Sequence, residues 1–386
     1  MAAAKRSEIM REFLAKQRLD GWIAWRPDEL LLMSGHLTRW SVSVLLYPRD
    51  SQPVLFVPVL EPRDHLPADA KIVEYPWGEL DCADPFSILK EKIKEQMRGA
   101  KIAPERVGLL HRSSRSSLSV LSAENAPLPA DFAEQLSAIT CPRNERAENA
   151  FVELFAFKTP EEIAAIRLAN QVALIGIEAF ERASVPGARE VEVAAAIETA
   201  IALETDDAEV FYAKGWAMVQ SGPNSAEGGM FNRSTARRLL PGDLALLELA
   251  TCVNGYWSDL SRTIAVGALR PELQRVYDVS RRAQEAAVAM VAPGKSGGEI
   301  DAAARDVIRQ AGLASFFTHH TGHHVGFRYH DPGFILVPGA KEKLAPGMVV
   351  TIEPGIYVPE LGGGARTEDN VLVTSSGHDV LSRPVN

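Results

Sequence analysis

An internal repeat in the second half of the chain limits the folds that it can adopt. Residues 186–201, PGAREVEVAAAIETAI, and residues 293–308, PGKSGGEIDAAARDVI, each place an alanine-rich helical pattern after a Pro-Gly turn. Residues 241–248, PGDLALLE, and residues 346–353, PGMVVTIE, each place an apolar strand after a Pro-Gly turn and end it with glutamate. The copies are about 105 residues apart. Two copies are too few for a solenoid, so the repeat predicts a single pseudo-symmetric domain of helices and strands.

The part of the chain before the repeat has a different pattern. Short apolar runs such as GWIAW at 21–25 and PVLFVPV at 53–59 stand among helical segments, which predicts an α/β domain. A helix-start signal at Thr159, with proline next and Glu162 three residues later, opens the second part. For a chain of 386 residues we therefore predict an α+β protein with an N-terminal α/β domain at 1–152 and a second domain at 153–386.

Composition limits which binding partners and which cellular compartment the sequence favours. The net charge of −9 disfavours nucleic acid and anionic membranes as partners. The three cysteines, Cys82, Cys141 and Cys252, form no CxxC pair and are typical of reduced cysteines in the cytoplasm. The first 17 residues form a charged amphipathic pattern rather than a signal peptide, and no apolar run approaches the roughly 18 residues that cross a membrane. We predict a cytoplasmic protein without nucleic-acid or membrane partners.

Acidic residues stand in or beside apolar strand patterns, where a structural explanation is needed. They are Glu248, Asp259, Glu353 and Glu368. Burying several unpaired carboxylates together is costly unless a cation lies among them. Arg262 or Arg366 is one possible source of positive charge, and metal is a more effective one. Five of the nine histidines also fall within residues 319–332, and carboxylates with an imidazole suit Mn²⁺, Co²⁺, Fe²⁺ or Zn²⁺.

Four segments of the second part resemble, in the same order, the metal-binding motifs of the pita-bread metallopeptidases. The segments are PGDLALLELATCVNGYWSDLSRT, HHTGHHVGF, VVTIEPGIYV and ARTEDNVLVT. This group includes Xaa-Pro aminopeptidases, prolidases and methionine aminopeptidases, with creatinase as a metal-free relative. The resemblance covers most of residues 153–386, and the N-terminal part resembles that of the creatinase/prolidase branch. It implies a homodimeric hydrolase that cleaves a C–N amide bond in a dipeptide or short peptide, with Xaa-Pro as the expected substrate.

The resemblance also implies roles for individual residues. It predicts that five side chains hold two divalent metal ions, with Mn²⁺ preferred over Co²⁺, Zn²⁺ or Fe²⁺. The predicted ligands are Glu248, Asp259, His323, Glu353 and Glu368. Glu353 would also be the general base. His319 and His330 match positions that contact the substrate or the tetrahedral intermediate.

Other residues near these motifs have weaker assignments. Arg366 matches an arginine beside the last ligand and is taken as a fourth catalytic residue. His320 and His324 match no functional position, so we interpret them as packed or solvated histidines. These assignments leave His323 as the single metal-binding histidine of the five.

The chain departs from the family pattern at three positions. Glu248 stands where the family has aspartate, and its extra methylene moves the carboxylate by roughly 1.3–1.5 Å. Either the strand retreats, or one metal shifts, or that metal is absent. Gly229 stands where the family has an active-site histidine. Arg328 stands where an acidic residue or asparagine is frequent, so it would either favour an acidic substrate group or form a surface pair.

These departures keep two other hypotheses open. One is a metal-free or mononuclear hydrolase of a small C–N compound, as creatinase and ectoine hydrolase are. The other is a binding protein without catalysis. The intact set of acidic and imidazole ligands favours the metallohydrolase over both.

Overall fold

The computed structural model describes residues 5–39, 42–77, 84–111, 130–206, 209–227 and 234–383, with only the backbone at 130–133. The chain forms two compact units, Met1–Phe155 and Ala156–Asn386.

The first unit is a five-stranded mixed sheet with helices. Its elements are α1 (Arg6–Gln17), β1 (Gly21–Ala24), α2 (Pro27–Ser34), β2 (Val44–Pro48), β3 (Val54–Pro58), β4 (Lys71–Tyr75), α3 (Pro85–Gly99), β5 (Val107–Leu109), α4 (Ala130–Ser137) and α5 (Glu145–Val152). The strand order is β4-β3-β2-β1-β5, with β1–β5 and β3–β4 parallel. The predicted α/β character of this part is confirmed. Trp22 anchors its core by stacking on Phe151 at 4.5 Å between ring centroids.

The second unit contains two helix pairs and two three-stranded sheets. Its elements are α6 (Pro160–Ala183), α7 (Glu190–Ala202), β6 (Ala213–Ser221), β7 (Leu244–Val253), β8 (Tyr256–Ala265), α8 (Pro271–Met290), α9 (Gly297–Gln310), β9 (Val349–Ile352), β10 (Gly355–Val358), β11 (Gly363–Arg366), β12 (Asp369–Val373) and β13 (His378–Val380). One sheet has the order β6-β7-β8 and the other β13-β12-β9, while β10 and β11 form a separate hairpin.

The repeat predicted from the sequence is present in the second unit. A Pro-Gly turn precedes both α7 and α9, and another precedes both β7 and β9. The turn glycines Gly187 and Gly294 have φ of 91° and 83°. Gly242 and Gly347 have φ of 92° and 88°. Only glycine adopts this left-handed backbone at little cost, so each repeated turn needs its glycine.

Helix α6 begins with the predicted cap and packs one side into the domain core. Thr159 accepts a hydrogen bond from the backbone of Glu162, and the Glu162 carboxylate accepts one from the backbone of Thr159. Among the described helices, α6 alone has the length and hydropathy of a membrane span. Half of its most apolar window is buried, and it packs on α7, β7 and β8. Burial of this kind is typical of the core helix of a globular domain.

The β7–β8 hairpin and the start of β12 bring distant carboxylates to one place. In the antiparallel hairpin Glu248 pairs with Ser261, and Asp259 pairs with a residue two positions beyond Glu248. Both carboxylates therefore lie on one face. A bridge from Ser261 to Glu368 joins β8 to the residue before β12. The Asn370 side chain hydrogen-bonds both the backbone N–H of Asp259, at 3.1 Å, and its carbonyl, at 2.7 Å.

Candidate metal centre

The five predicted ligands lie together in the second unit. Glu248 and Asp259 are on β7 and β8, Glu353 directly follows β9, and Glu368 directly precedes β12. His323 is in the loop before β9, where its carbonyl accepts a 2.8 Å hydrogen bond from the backbone of Thr351. Ligand atoms of Glu248, Asp259 and Glu368 lie within 4.8 Å of one another. Ligand atoms of a second group, His320, His323 and Glu353, also lie within 4.8 Å of one another.

The orientation of His323 is the clearest sign of a cation site. Its Nδ1 lies 2.9 Å from the carbonyl oxygen of His324, which can only accept, so Nδ1 carries the proton. Burial lowers the pKa of His323 to about 4, so the ring is neutral at pH 7 and Nε2 presents a lone pair. That lone pair lies 3.3 Å from Asp259 Oδ2 and 3.4 Å from Glu353 Oε1. A lone pair facing two carboxylates is unfavourable unless a cation lies between them.

Buried polar atoms without hydrogen bonds surround the same point. Among the described side chains they include Asp259 Oδ1, His323 Nε2 and Glu368 Oε1. Burial, together with the neighbouring carboxylates, raises the pKa of Asp259 and of Glu368. Unsatisfied buried donors and acceptors are costly and need an explanation. The site offers carboxylate oxygens and Nε2 of one imidazole, and Nδ1 of that ring is held by a backbone carbonyl. This donor set fits a divalent metal of the Mn²⁺ to Zn²⁺ series.

Glu248 differs from the other acidic residues because both of its oxygens have protein partners. Oε1 accepts a short hydrogen bond from the Tyr329 hydroxyl. Oε2 lies 2.5 Å from Ser261 Oγ and forms a short charged hydrogen bond with Arg366 Nη2. The longer side chain at this position therefore reaches an arginine and a tyrosine. Of the two arginines considered from the sequence, Arg366 enters the cluster, while Arg262 pairs with Asp369 at 2.9 Å.

Arg366 also connects the carboxylates to His319. Its Nη1 donates to the Tyr357 hydroxyl at 2.9 Å, and this hydroxyl lies 2.9 Å from His319 Nε2. His319 Nδ1 lies 2.7 Å from the carbonyl of His320, so Nδ1 donates and Nε2 accepts from Tyr357. Both nitrogens of His319 are engaged in this arrangement.

The other histidines of the 319–332 segment have separate environments. The His330 ring centroid lies 4.1 Å from that of His323, and burial lowers the pKa of His330 well below its ordinary value. His324 is fully buried with its ring 4.7 Å from that of Phe334, in agreement with its interpretation as a packed histidine. His320 was given no function from the sequence. Its Nε2 lies 3.3 Å from Glu353 Oε1, in the cluster itself.

The structure tests one of the two remaining departures from the family pattern, Arg328, and does not describe the other, Gly229. Arg328 is only 2% exposed, so the surface-pair interpretation is wrong. The reason is that the loop carrying Arg328 is held inside the domain by Asp331, which accepts the Arg328 N–H at 2.8 Å. Gly229 lies outside the described residues.

Sequence reasoning did not find four polar residues that contact the predicted ligands or His319. They are Ser261, His320, Tyr329 and Tyr357. Ser261 was detectable, because it alternates with Asp259 along one strand and so shares its face. Tyr329 had no comparable signal, since it lies in a loop without regular periodicity.

The fold and the site define a hydrolase of the pita-bread class with a metal centre on its two joined sheets. The chain belongs to the metallopeptidase family M24, whose sequence pattern matches residues 164–375. It is 31% identical to an Xaa-Pro dipeptidase of Lactobacillus delbrueckii over 95% of this chain and 94% of that protein. It is 34% identical to an Xaa-Pro dipeptidase of Pyrococcus furiosus over 62% of this chain and 66% of that protein.

Solved structures give the same fold. The prolidase from Pyrococcus furiosus superposes with a TM-score of 0.74 and 26% identity, covering 97% of this chain and 100% of that chain. The predicted α+β pita-bread architecture and the predicted metallopeptidase class are confirmed. The metal-free hydrolase and the non-catalytic binding protein gain no support from these comparisons.

Proposed function

We propose that this chain is a metal-dependent dipeptidase that acts on Xaa-Pro dipeptides. The observation that carries the proposal is the neutral His323 whose Nε2 lone pair faces Asp259 and Glu353 at 3.3 and 3.4 Å. A cation between these groups would stabilise such an arrangement, and the Xaa-Pro dipeptidases that resemble this chain supply the substrate class.

The metal centre is proposed to hold two divalent ions, with Mn²⁺ preferred. The proposed ligands are Glu248, Asp259, His323, Glu353 and Glu368. When bound, the ions supply Lewis acidity that activates water and polarises the scissile carbonyl.

Glu353 is proposed as the general base. Although burial opposes it, the imidazole of His320, 3.3 Å from Oε1, holds the pKa of Glu353 well below its ordinary value. The carboxylate is therefore ionised throughout the neutral range and available to accept a proton. Thr351 Oγ1 donates to Glu353 Oε1 at 3.2 Å and fixes the direction of the carboxylate.

His330 and His319 are proposed to orient the substrate. The His330 ring lies against that of His323, at 4.1 Å between centroids, and this position beside the proposed metal ligand supports the assignment. His319 would contact the substrate after release from Tyr357. Arg366 would hold Tyr357 and Glu248 in place through its hydrogen bonds to both. Donors aimed at the developing oxyanion are typically among the largest contributions to amide hydrolysis.

The assignments outside the site stay predictions. We propose residues 1–152 as the creatinase-like N-terminal domain and residues 153–386 as the catalytic domain. We also propose a homodimer located in the cytoplasm. Size-exclusion chromatography with light scattering measures the mass of the protein in solution and so tests the homodimer directly.

Ala-Pro hydrolysis by the purified, Mn²⁺-loaded chain tests the function, with Ala-Ala and N-acetyl-Ala-Pro as comparison substrates. We expect Ala-Pro to be cleaved fastest. Glu353→Gln should lower kcat by roughly 100-fold or more, and His323→Ala should lose both bound metal and activity. His65→Ala in the first unit is the matched control and should keep both. Unchanged hydrolysis in Glu353→Gln and His323→Ala would overturn the proposal.

A further inference from the structure

Helix α9 carries an ion pair that contacts the segment leading into the proposed metal centre. Asp301 is only 1% exposed, and Arg305 lies one turn further along the helix. Arg305 Nε donates to both carboxylate oxygens of Asp301, at 3.0 and 2.9 Å. Neither residue belongs to the proposed ligands or to the proposed substrate contacts, so the pair needs an explanation of its own.

Arg305 holds the backbone at His319 and two residues before it. Its Nη1 donates to the carbonyl of Phe317 at 3.3 Å, and its Nη2 donates to the carbonyl of His319 at 2.7 Å. The guanidinium also covers the Phe317 ring, 4.1 Å from the ring centroid. A guanidinium offers five N–H donors in one plane, so a single side chain binds the carboxylate and both carbonyls at once.

Asp301 holds the same segment from its other end. The fully buried Thr321 donates its hydroxyl to Asp301 Oδ1 at 2.7 Å. The Thr321 carbonyl in turn accepts the N–H of Glu353 at 2.8 Å. The ion pair is therefore attached to the backbone on both sides of His319 and His320.

The two histidines between these attachment points face the proposed metal centre. His319 Nε2 accepts from the Tyr357 hydroxyl at 2.9 Å, and His320 Nε2 lies 3.3 Å from Glu353 Oε1. Residues 317–320 lie outside the helices and strands of the described chain. Contacts from α9 therefore take the place of a regular hydrogen-bond ladder in setting the direction of these imidazoles.

Comparison of the two repeat copies shows that this use of the helix is particular to the second copy. With the Pro-Gly turns aligned, Arg305 corresponds to Glu198 on α7, and Asp301 corresponds to Ala194. Glu198 accepts the N–H of Ala217 on β6 at 3.1 Å. The first copy thus uses this helix position to hold a strand, whereas the second uses it, with the opposite charge and an added carboxylate, to hold the histidine-bearing segment.

We propose that Asp301 and Arg305 are positioning residues for the hydrolytic reaction and act through the backbone that carries His319 and His320. This inference rests on the proposed function. The pair keeps the two imidazoles in place and is itself neither a ligand nor a substrate contact. Without it the segment gains freedom and the imidazoles lose their direction. A misplacement of about 1 Å near the reacting groups can lower the rate by roughly 100-fold.

The kinetics of Ala-Pro hydrolysis by the Mn²⁺-loaded chain test this inference. Arg305→Lys keeps the charge but cannot bind Asp301 and two carbonyls together, and Thr321→Val removes only the hydroxyl. For both variants we expect kcat to fall by about 10- to 100-fold. KM should change by less than about 3-fold, because the lost orientation matters in the transition state. Bound Mn²⁺ per chain should stay unchanged, and Thr321→Ser, which restores the hydroxyl, should recover most of the lost kcat.

A second ion pair on the same helix provides the matched control. Arg309 Nη2 lies 2.8 Å from Asp306 Oδ1, and both side chains are exposed. Arg309→Lys makes the same chemical change as Arg305→Lys and should leave kcat and KM unaltered. Equal losses of kcat in Arg305→Lys and Arg309→Lys would overturn the inference.

Hydrogen–deuterium exchange of the metal-free chain, measured by mass spectrometry, gives a readout that does not depend on activity. In Arg305→Lys and Thr321→Val, peptides that cover residues 314–322 should exchange at least about 10-fold faster, while peptides from α6 and β7 keep their original rates. Faster exchange along the whole chain would show a general loss of stability and would overturn the inference.

The outcomes separate this inference from the proposed function. If the original chain does not hydrolyse Ala-Pro, the proposed function fails, and a role of the pair in that reaction fails with it. Intact hydrolysis by the original chain, together with an unchanged kcat in both Arg305→Lys and Thr321→Val, would overturn the inference alone. A loss of kcat that is matched by an equal loss of bound Mn²⁺ would also overturn it.

Discussion

Lys158 Nζ lies 2.9 Å from Asp331 Oδ2, and neither side chain is exposed to solvent. The Lys158 backbone N–H also donates to the carbonyl of Gly347 at 2.9 Å, and Asp331 accepts the N–H of Arg328. The ion pair therefore ties the residue before the α6 cap to the loop that carries His330, and the backbone hydrogen bond ties the same residue to the turn before β9.

Lys158→Met should destabilise the protein strongly. It leaves the carboxylate of Asp331 buried without its counterion, which costs about 3–5 kcal/mol. Chemical denaturation measures this change in the free energy of unfolding. Lys295→Met is the matched control, because Lys295 forms an exposed pair with Glu299 and its loss should cost about 1 kcal/mol or less. Similar costs for the two variants would contradict the importance of the buried pair.

Gly322→Ala should disturb the metal centre through the backbone. A Cβ at Gly322 would overlap the carbonyl oxygen of Thr351. The N–H of Thr351 donates a hydrogen bond to the carbonyl of His323. Relief of this overlap moves His323, so we expect weaker Mn²⁺ binding and a loss of about 1–3 kcal/mol in stability. Gly377→Ala, where a Cβ meets nothing within 4 Å, is the control. Unchanged metal binding in Gly322→Ala would contradict the predicted coupling.

Removal of metal should lower the thermal stability of the chain. An ion that binds only the folded state adds about 2.7 kcal/mol when its concentration is 100 times Kd. Differential scanning calorimetry with Mn²⁺ and with EDTA measures the difference in Tm. His323→Ala should respond much less to Mn²⁺, since it lacks the imidazole ligand. An identical Tm with and without Mn²⁺ in the original chain would argue against a bound structural cation.

His36 should make the first unit less stable in mild acid. Burial and the charge of Arg39 lower the pKa of His36 to about 4, below the unfolded value of about 6.5. The unfolded chain therefore binds the proton more tightly, so stability that is present above pH 6.5 is lost as the pH falls towards 4. The full effect is roughly 3 kcal/mol.

An NMR titration of the His36 ring and denaturation of His36→Gln at pH 7 and pH 5 test this prediction. The variant should lose less stability between the two pH values than the original chain. His65→Gln, a change at a partly exposed histidine, is the comparison and should keep the original pH dependence. A His36 pKa near 6.5 would contradict the prediction.

Local sequence patterns predicted the helix cap, the turns and the strands of the second unit. Neighbouring residues determine the cap at Thr159, the repeated Pro-Gly turns and the apolar strands β7 and β9, so the sequence alone predicts them. The order of acidic and imidazole residues along the chain gave the metallopeptidase family. The use of individual residues as ligands stays a prediction.

The balance of charge within the site required the tertiary structure. The sequence predicted Glu248 as a ligand and left open whether its extra methylene shifts or removes a metal, whereas in the fold Arg366 and Tyr329 hydrogen-bond its oxygens. It also treated His320 as uninvolved, although the ring lies 3.3 Å from Glu353. These contacts join residues that are far apart in the chain or in irregular loops, where periodicity gives no information.

The sequence by itself determined the elements, their repeat and the chemical types of the site residues, because turns, caps and strand alternation are local properties. Only the tertiary structure decided which carboxylate oxygens have protein donors and which, among the described residues, are buried without a hydrogen bond. The physical reason is that hydrogen-bond partners such as Ser261 and Glu368 meet through sheet register, and register across about 100 residues is fixed by packing of the whole domain.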